Sequence, residues 1–326
     1  MIISRAPLRI SLGGGGTDLP SFYSEHGGFF VSAAIDKYIF VSANRTFDDQ
    51  YVLKYSDSER VNRVTDIRHP IFREALSYLK IDPAIELSSI ADIPAGTGLG
   101  SSGTFTVALL KALHAHNRTP IDSHQLAEEA CHIEMDRLAE PCGKQDQFIA
   151  SFGGLTCFEI DTNGTVTISP LQVSTETLQD LETHLLLFFT GYARKAAAML
   201  SDQKARSESG DADMILNLKK TKALGLHIRD ALEAGDCLGF AEMMHQHWVN
   251  KRARSSGMSN SEIDDCYELA VANGAEGGKL VGAGAGGFLM LYASDPRRVR
   301  AALAGTPVRE LPFRFDHDGA IVLARS

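Results

Sequence analysis

Pro94-Ala95-Gly96-Thr97-Gly98-Leu99-Gly100-Ser101-Ser102-Gly103-Thr104 is the stretch whose reading decides the fold. It lies between an apolar run over 85–93 and a helical pattern over 102–116, so it joins a strand to a helix. Glycines there let the backbone come close to a ligand, and the free N–H groups of a helix start attract phosphate. Ser101, Ser102 and Thr104 add hydroxyls, and a serine in this position can ligate Mg²⁺. A helix start that serine merely caps would not need so many small residues. Two better known phosphate templates fail. No Lys follows Gly100, which excludes the P-loop. Gly98-x-Gly100-x-x-Gly103 has the form of a dinucleotide fingerprint, but it lacks a clear βαβ unit and an acid about 20 residues on.

Two more glycine-rich segments flank this one. Gly13-Gly14-Gly15-Gly16-Thr17-Asp18 follows the strand-like Leu8 to Leu12, and Asp18 is placed to accept hydrogen bonds from hydroxyls. A flexible turn with a capping Asp reads equally well. Gly277-Gly278-Lys279-Leu280-Val281-Gly282-Ala283-Gly284-Ala285-Gly286-Gly287-Phe288 lies between apolar strands. A structural hairpin rarely needs so many glycines, so close approach to a ligand or to the central segment is expected. A fourth stretch, Glu140-Pro141-Cys142-Gly143-Lys144-Gln145-Asp146-Gln147, reads as a loop after a broken helix. Lys144 would there favour the ionised form of Asp146, as a base for a sugar hydroxyl requires. Alone, the stretch is an ordinary helix-to-strand turn.

The 326 residues predict about two domains. With 41 acidic against 32 basic side chains, the net charge of -9 argues against a broad nucleic-acid or anionic-membrane surface. A pocket for a small anion needs only a few local cations. Five cysteines (131, 142, 157, 237, 266) show no zinc or redox spacing, which suits reduced, mostly buried thiols. No apolar run approaches a membrane span, and the opening Met1-Ile2-Ile3-Ser4-Arg5 alternates like a strand. A cytoplasmic protein is expected.

Strand patterns dominate 1–60, with helices over 70–79, 102–116 and 123–138. Asp161-Thr162-Asn163-Gly164 marks a hairpin between strands over 154–160 and 165–173. A strand follows over 185–189, helical patterns fill 193–273, and strands return at 279–281, 288–292 and 320–323. Ser207 to Asp211 reads as a mobile loop within the helices, and 175–183 as the domain boundary.

In kind and order, the three glycine-rich segments resemble the motifs of the GHMP kinase superfamily (galacto-, homoserine, mevalonate and phosphomevalonate kinases). Pro94 to Ser102 carries its specific Pro-x-Gly-x-Gly-Leu-Gly-Ser-Ser pattern. The resemblance spans essentially the whole chain. It implies an α+β, two-domain fold. An N-terminal domain like domain 2 of ribosomal protein S5 would cover 1–180, and a ferredoxin-like C-terminal domain 181–326. ATP would lie over Pro94, Gly96, Gly98, Leu99, Gly100, Ser101 and Ser102. Ser102 and Glu134 match the Mg²⁺ ligands, Asp146 the base, and Arg9 a cation that stabilises it and the transferring phosphoryl. Gly15, Gly16, Thr17, Asp18, Arg194 and Gly284 would face the substrate.

Gly15-Gly16 stand where galactokinases carry Glu-His, which leaves a roomier pocket and argues against galactose. Gly13 to Asp18, Gly143 to Gln147, Thr190-Gly191 with Arg194, and 277–288 look most like the heptose-phosphate branch. That branch phosphorylates C1 of a heptose 7-phosphate on the route to GDP-heptose; a fucose-type sugar kinase is the alternative. The partner implied is a small phosphosugar, with no nucleic acid and no membrane, and a homodimer is left open. Its phosphate needs a clamp. Arg194 is the first candidate, ahead of Lys195, Lys251, Arg252 and Arg254, because a cation near a helix N-terminus opposes the dipole.

Other signals read as structural. His114-x-His116 and His245-x-His247 fall on different helix faces, so zinc is not expected. Glu128-Glu129 and Asp264-Asp265 read as solvated helix faces, and Trp248 as core. Rival functions are a non-catalytic sugar and nucleotide sensor and a dinucleotide-dependent oxidoreductase. The occupied catalytic positions argue against the sensor, and absence of NAD binding would dispose of the oxidoreductase.

Overall fold

A computed structural model describes residues 1–191, 197–254, 257–282, 284 and 286–325. Arg194 and Lys195 lie outside the described residues. The chain opens with β1 (Ile2–Gly13), α1 (Pro20–His26) and β2 (Gly28–Arg45). Then come β3 (Tyr51–Lys54), β4 (Ser58–Val61), α2 (Pro70–Tyr78) and β5 (Ile85–Ala91). α3 (Ser101–Asn117), α4 (Ser123–Cys131) and α5 (Gln145–Phe152) precede the hairpin β6 (Leu155–Ile160) and β7 (Val166–Pro170). α6 (Thr175–His184) leads into β8 (Leu185–Phe189). Four helices follow: α7 (Ala197–Glu208), α8 (Ala212–Glu233), α9 (Cys237–Arg254) and α10 (Ser261–Ala272). β9 (Gly277–Val281), β10 (Phe288–Tyr292), α11 (Pro296–Leu303), β11 (Arg309–Glu310) and β12 (Ile321–Arg325) complete the chain.

The first sheet runs β12-β1-β2-β5-β3-β4, with β6 on the other stretch of β2 and β7 beyond it. Among the described residues only β3 and β5 pair in parallel. The short strands expected over 2–3 and 8–12 are one strand, because Ser4 is buried and its hydroxyl donates to Ala108 O of α3 at 2.7 Å. Pro7 sits at a register shift, where its missing N–H is tolerated. α3 is buried on nearly every side and joins the apolar cluster of β1 and β2.

The second sheet is antiparallel, ordered β11-β8-β10-β9. One face, with Leu186, Phe188, Leu280, Leu289 and Leu291, packs on Trp248, Ile263 and Tyr267. The other, with Leu187, Val281 and Met290, belongs to the same apolar cluster as the first sheet. The two halves share a core.

Two features mark the joints. The stretch read as a boundary is α6, capped by Ser174 and seated by buried Thr177 and Leu181. The final strand leaves the second half altogether and pairs with β1. Ser207 to Asp211 is a tight turn rather than a loop. α7 runs to Glu208, Asp211 accepts from the N–H groups of Asp213 and Met214, and Arg206 holds Asp211 at 2.7 Å. Among the described residues no helix is long and apolar enough to cross a membrane. All five cysteines are free, and all but Cys142 are buried.

Candidate active site

The three glycine segments and the acidic stretch meet around one cavity of about 820 Å³. That lies toward the upper end of the ~300–1,000 Å³ usual for ligand sites. In the central segment Gly96, Gly98 and Gly100 all take left-handed φ, at 81°, 86° and 81°. Such φ values favour glycine, and they wind the chain into the first turn of α3. Pro94, Gly96, Gly98, Gly100, Ser101 and Ser102 line the cavity. The Ser101 hydroxyl is buried without a hydrogen-bond partner among the described residues. Leu99 instead turns its side chain into the core, and its carbonyl accepts from Arg9 N at 3.0 Å. The third segment packs directly on the second. A Cβ on Gly98 would stand 2.8 Å from Val281 O, and one on Gly282 2.6 Å from the Gly98 Cα. Gly282, Gly284 and Gly286 also line the cavity.

Glu134 reaches the site from a π-helical stretch, His132–Arg137, that continues α4. The Ser102 hydroxyl donates to its Oε1, and Gln147 Nε2 donates to Oε2 at 2.7 Å. Burial pushes this carboxyl up to about 7. A carboxylate so short of compensating charge, touching a hydroxyl at a helix start, fits a divalent cation.

Asp146 stands on the first turn of α5, not on a loop. Arg9, buried in β1, brings Nε and Nη2 to 2.7 Å from the same oxygen, Oδ1. Its Nη1 donates to Gly98 O at 2.6 Å, so one guanidinium ties Asp146 to the glycine loop. Lys144 does not act on Asp146. Its ammonium is held by Glu128 at 3.0 Å and by Gly164 O at 2.8 Å. Glu128 is therefore not a solvated face, and neither is Glu129, 2.7 Å from His114.

Asp18 is buried, accepting from Gly16 N at 3.0 Å and Gln145 N at 3.1 Å. Desolvation nevertheless raises its pKa. The chain comes so close that a Cβ on Gly143 would stand 2.0 Å from Asp18 Oδ2. Gly15, Gly16 and Asp18 line the cavity, whereas the Thr17 hydroxyl lies against Gly14 O and Phe29 O.

Several lining residues escaped the sequence reading. Tyr55, His69, Ile71, Ile93 and Phe105 form an apolar and aromatic wall, with His69 and Phe105 rings 5.3 Å apart. Lys279 and His247 are buried at the cavity with Lys251 and Arg254. A lone charge in the apolar run Lys279–Val281 was the available signal, since a buried ammonium without a task is rare. Arg252 turns away, 5.5 Å over the Trp248 ring and 3.3 Å from Asp264, which is thus also no free face. Trp248 is fully buried core.

Residues 64–154 match the family model for the GHMP kinases N terminal domain, and 228–307 the model for the GHMP kinases C terminal domain. The chain belongs to the GHMP kinases. It is an ATP-dependent kinase with the two-domain fold of that family. This GHMP kinase is 29% identical over 309 residues to a D-glycero-alpha-D-manno-heptose 7-phosphate kinase of Campylobacter jejuni. That alignment covers 91% of this chain and 90% of the relative. An L-fucokinase/L-fucose-1-P guanylyltransferase of Bacteroides fragilis is 26% identical; 93% of this chain covers 36% of that longer protein. A solved D-glycero-D-manno-heptose 1-phosphate kinase from Bacteroides thetaiotaomicron superposes over 100% of both chains. Its TM-score is 0.82, at 25% identity.

Proposed function

We propose that this carbohydrate kinase transfers the γ-phosphoryl of ATP to the anomeric C1 hydroxyl of D-glycero-D-manno-heptose 7-phosphate. The product would be the 1,7-bisphosphate, on a cytosolic route to GDP-heptose. One observation carries the reading: Asp146, paired with Arg9, stands against the glycine-lined helix start, in a cavity that the buried cations Lys251, Arg254 and Lys279 also line. The heptose kinases among the relatives support the sugar. Their names differ over which phosphate the acceptor carries, and the proposal commits to the 7-phosphate.

Gly96 to Ser102 and the first turn of α3 would hold the triphosphate, with the unpartnered Ser101 hydroxyl as one donor. The wall of Tyr55, His69, Ile71 and Ile93 suits a purine face. Ser102 and Glu134 would hold Mg²⁺. When bound, that ion offsets phosphate charge that backbone dipoles alone cannot. Both Arg9 donors use Asp146 Oδ1, so Oδ2 is left to take the proton of the attacking hydroxyl. Asp18, held by two backbone N–H groups, would accept from a sugar hydroxyl and fix its angle of approach.

The test is ADP release with ATP and Mg²⁺ over heptose 7-phosphate, mannose 6-phosphate, free heptose, fucose and galactose. Selective turnover of heptose 7-phosphate, with the new phosphate at C1 by NMR, is expected. Preference for free fucose would keep the kinase and discard the phosphosugar.

A further inference from the structure

Three cations are buried together at the cavity, and among the described residues none of them makes an ion pair with a carboxylate, although the charge of Asp18 acts on Arg254. Lys251, Arg254 and Lys279 are 5%, 6% and 2% exposed, so each has lost nearly all its water. Lys279 Nζ makes one hydrogen bond, to Leu12 O at 2.8 Å, which leaves two of its three donors unused. Lys251 Nζ donates to the carbonyls of Leu280 and Gly282 and keeps one donor. Arg254 spends three of its five N–H groups on neutral oxygens, those of Asn217, Gln203 and Thr221. His247, one turn before Lys251 on α9, is 4% exposed with neither ring nitrogen partnered. All four side chains line the cavity.

Buried charges without a counter-charge are costly, and buried polar atoms without partners rarer still. Neutral neighbours do not explain the cluster. An anion bound among them does, if it brings several acceptor oxygens and more than one negative charge. A phosphate monoester has that chemistry, and a neutral sugar lacks it.

Two phosphates could come here, one on the acceptor and one on ATP, and the anchoring decides between them. Lys279 is tied to Leu12, next to the first glycine segment. Arg254 stands against that segment too, its Nη1 2.9 Å from where a Cβ on Gly16 would be. Gln203 bridges the two, taking a hydrogen bond from Arg254 and donating to Gly16 O at 2.8 Å. The same segment presents Asp18. Lys279 belongs to the third segment, which packs on the ATP loop, but its ammonium points away to Leu12, whereas Lys251 donates to that segment's own carbonyls at Leu280 and Gly282. Arg252, on the same turn of α9, is engaged outside the cavity.

We propose that Lys251, Arg254, Lys279 and His247 form the subsite that holds the phosphate already carried by the acceptor. The assignment rests on the reading of the chain as a phosphosugar kinase. It also supplies what that reading lacks, a clamp apart from the ATP loop. Such a subsite selects phosphorylated over free sugars and fixes how far C1 lies from Asp146. It is a specificity device.

The experiment uses the full chain and inorganic phosphate as probe, in the presence of saturating non-hydrolysable ATP analogue and Mg²⁺. The single tryptophan, Trp248, is buried beside His247 on α9, so its fluorescence can follow occupancy. Saturable binding is expected, weakened at least tenfold in both Lys279→Met and Lys251→Met and unchanged in Arg252→Met. In turnover, the ratio of kcat/KM for heptose 7-phosphate over free heptose should fall at least tenfold in Lys279→Met, through KM. Phosphate binding that the ATP analogue excludes would hand the cluster to the nucleotide and overturn the proposal. Binding indifferent to both lysine variants would overturn it as well. Failure of every sugar phosphate as acceptor would instead sink the proposed function, and the titration would still decide the subsite.

Discussion

At the scale of single residues, Asp146 and Lys279 make opposite predictions about the same cavity. Asp146→Asn keeps the size and the Arg9 contact but cannot take a proton. Turnover is expected to fall about a hundredfold or more, with ATP affinity by calorimetry little changed. Near-normal kcat would remove Asp146 from the role of base. Lys279 concerns stability. Burial holds its ammonium down to about 7, against an ordinary value of 10.5. Between those two values the unfolded chain binds more protons than the folded one, so stability rises with pH there. The charge penalty is complete below about pH 7 and fades as pH climbs toward the ordinary value. Lys279→Met abolishes it, and the variant should gain roughly 1–4 kcal/mol at pH 6, with less gain at pH 9.5. Denaturant midpoints at the two pH values measure this. A loss of stability at pH 6 would mean the ammonium is not carrying a desolvation penalty. A variant more stable and less selective is the signature of a site held under strain for binding.

At the scale of elements, two glycine turns work as one. Gly282 takes φ 85°, and a side chain there meets the Gly98 backbone, not a flexible neighbour. Gly282→Ala must separate the segments and misplace the N–H groups proposed to hold the phosphates. ATP is expected to bind roughly tenfold or more weakly, about 1.4 kcal/mol, while thermal stability falls far less. Unchanged ATP affinity would show that the contact is only packing. Elements set by local chemistry were legible in the sequence. The Asp161 to Gly164 turn, the helix after Ser101 and β8 need only nearby residues. The central segment could be picked out as cavity-lining because its glycines and serines stand together in the chain. What stayed hidden depends on distant partners. Lys144 looked like the neighbour of Asp146, but its charge goes to Glu128, and Arg9, 137 residues away in sequence, takes its place. Lys279 meets Leu12 across 267 residues, which no local pattern encodes. That the boundary stretch 175–183 is helical was not legible, because the two buried residues of α6 give little apolar periodicity.

At the scale of the whole molecule, the chain's last strand holds its first. β12 pairs with β1 at Ile2, Ile3, Ser4 and Arg5, a few residues before Arg9. The strand and the approach to it are pinned as well: Arg5 reaches Asp318 at 2.9 Å, Tyr38 donates to Asp316 at 2.9 Å, and Arg325 of β12 donates to Ala115 O at 2.8 Å. Both sheets also contribute to one apolar cluster, so the halves cannot melt independently without exposing it. Thermal unfolding should therefore show a single transition, with equal calorimetric and van't Hoff enthalpies. Deleting residues 320–326 removes four strand pairings, each worth roughly 1 kcal/mol, and so about 4 kcal/mol of stability. The bared edge of β1 should also promote self-association. If the shared core governs, the truncated chain still melts in one step, at lower temperature. A second, unshifted transition in the truncated chain would mean that the C-terminal half folds by itself and that the common cluster does not couple the two.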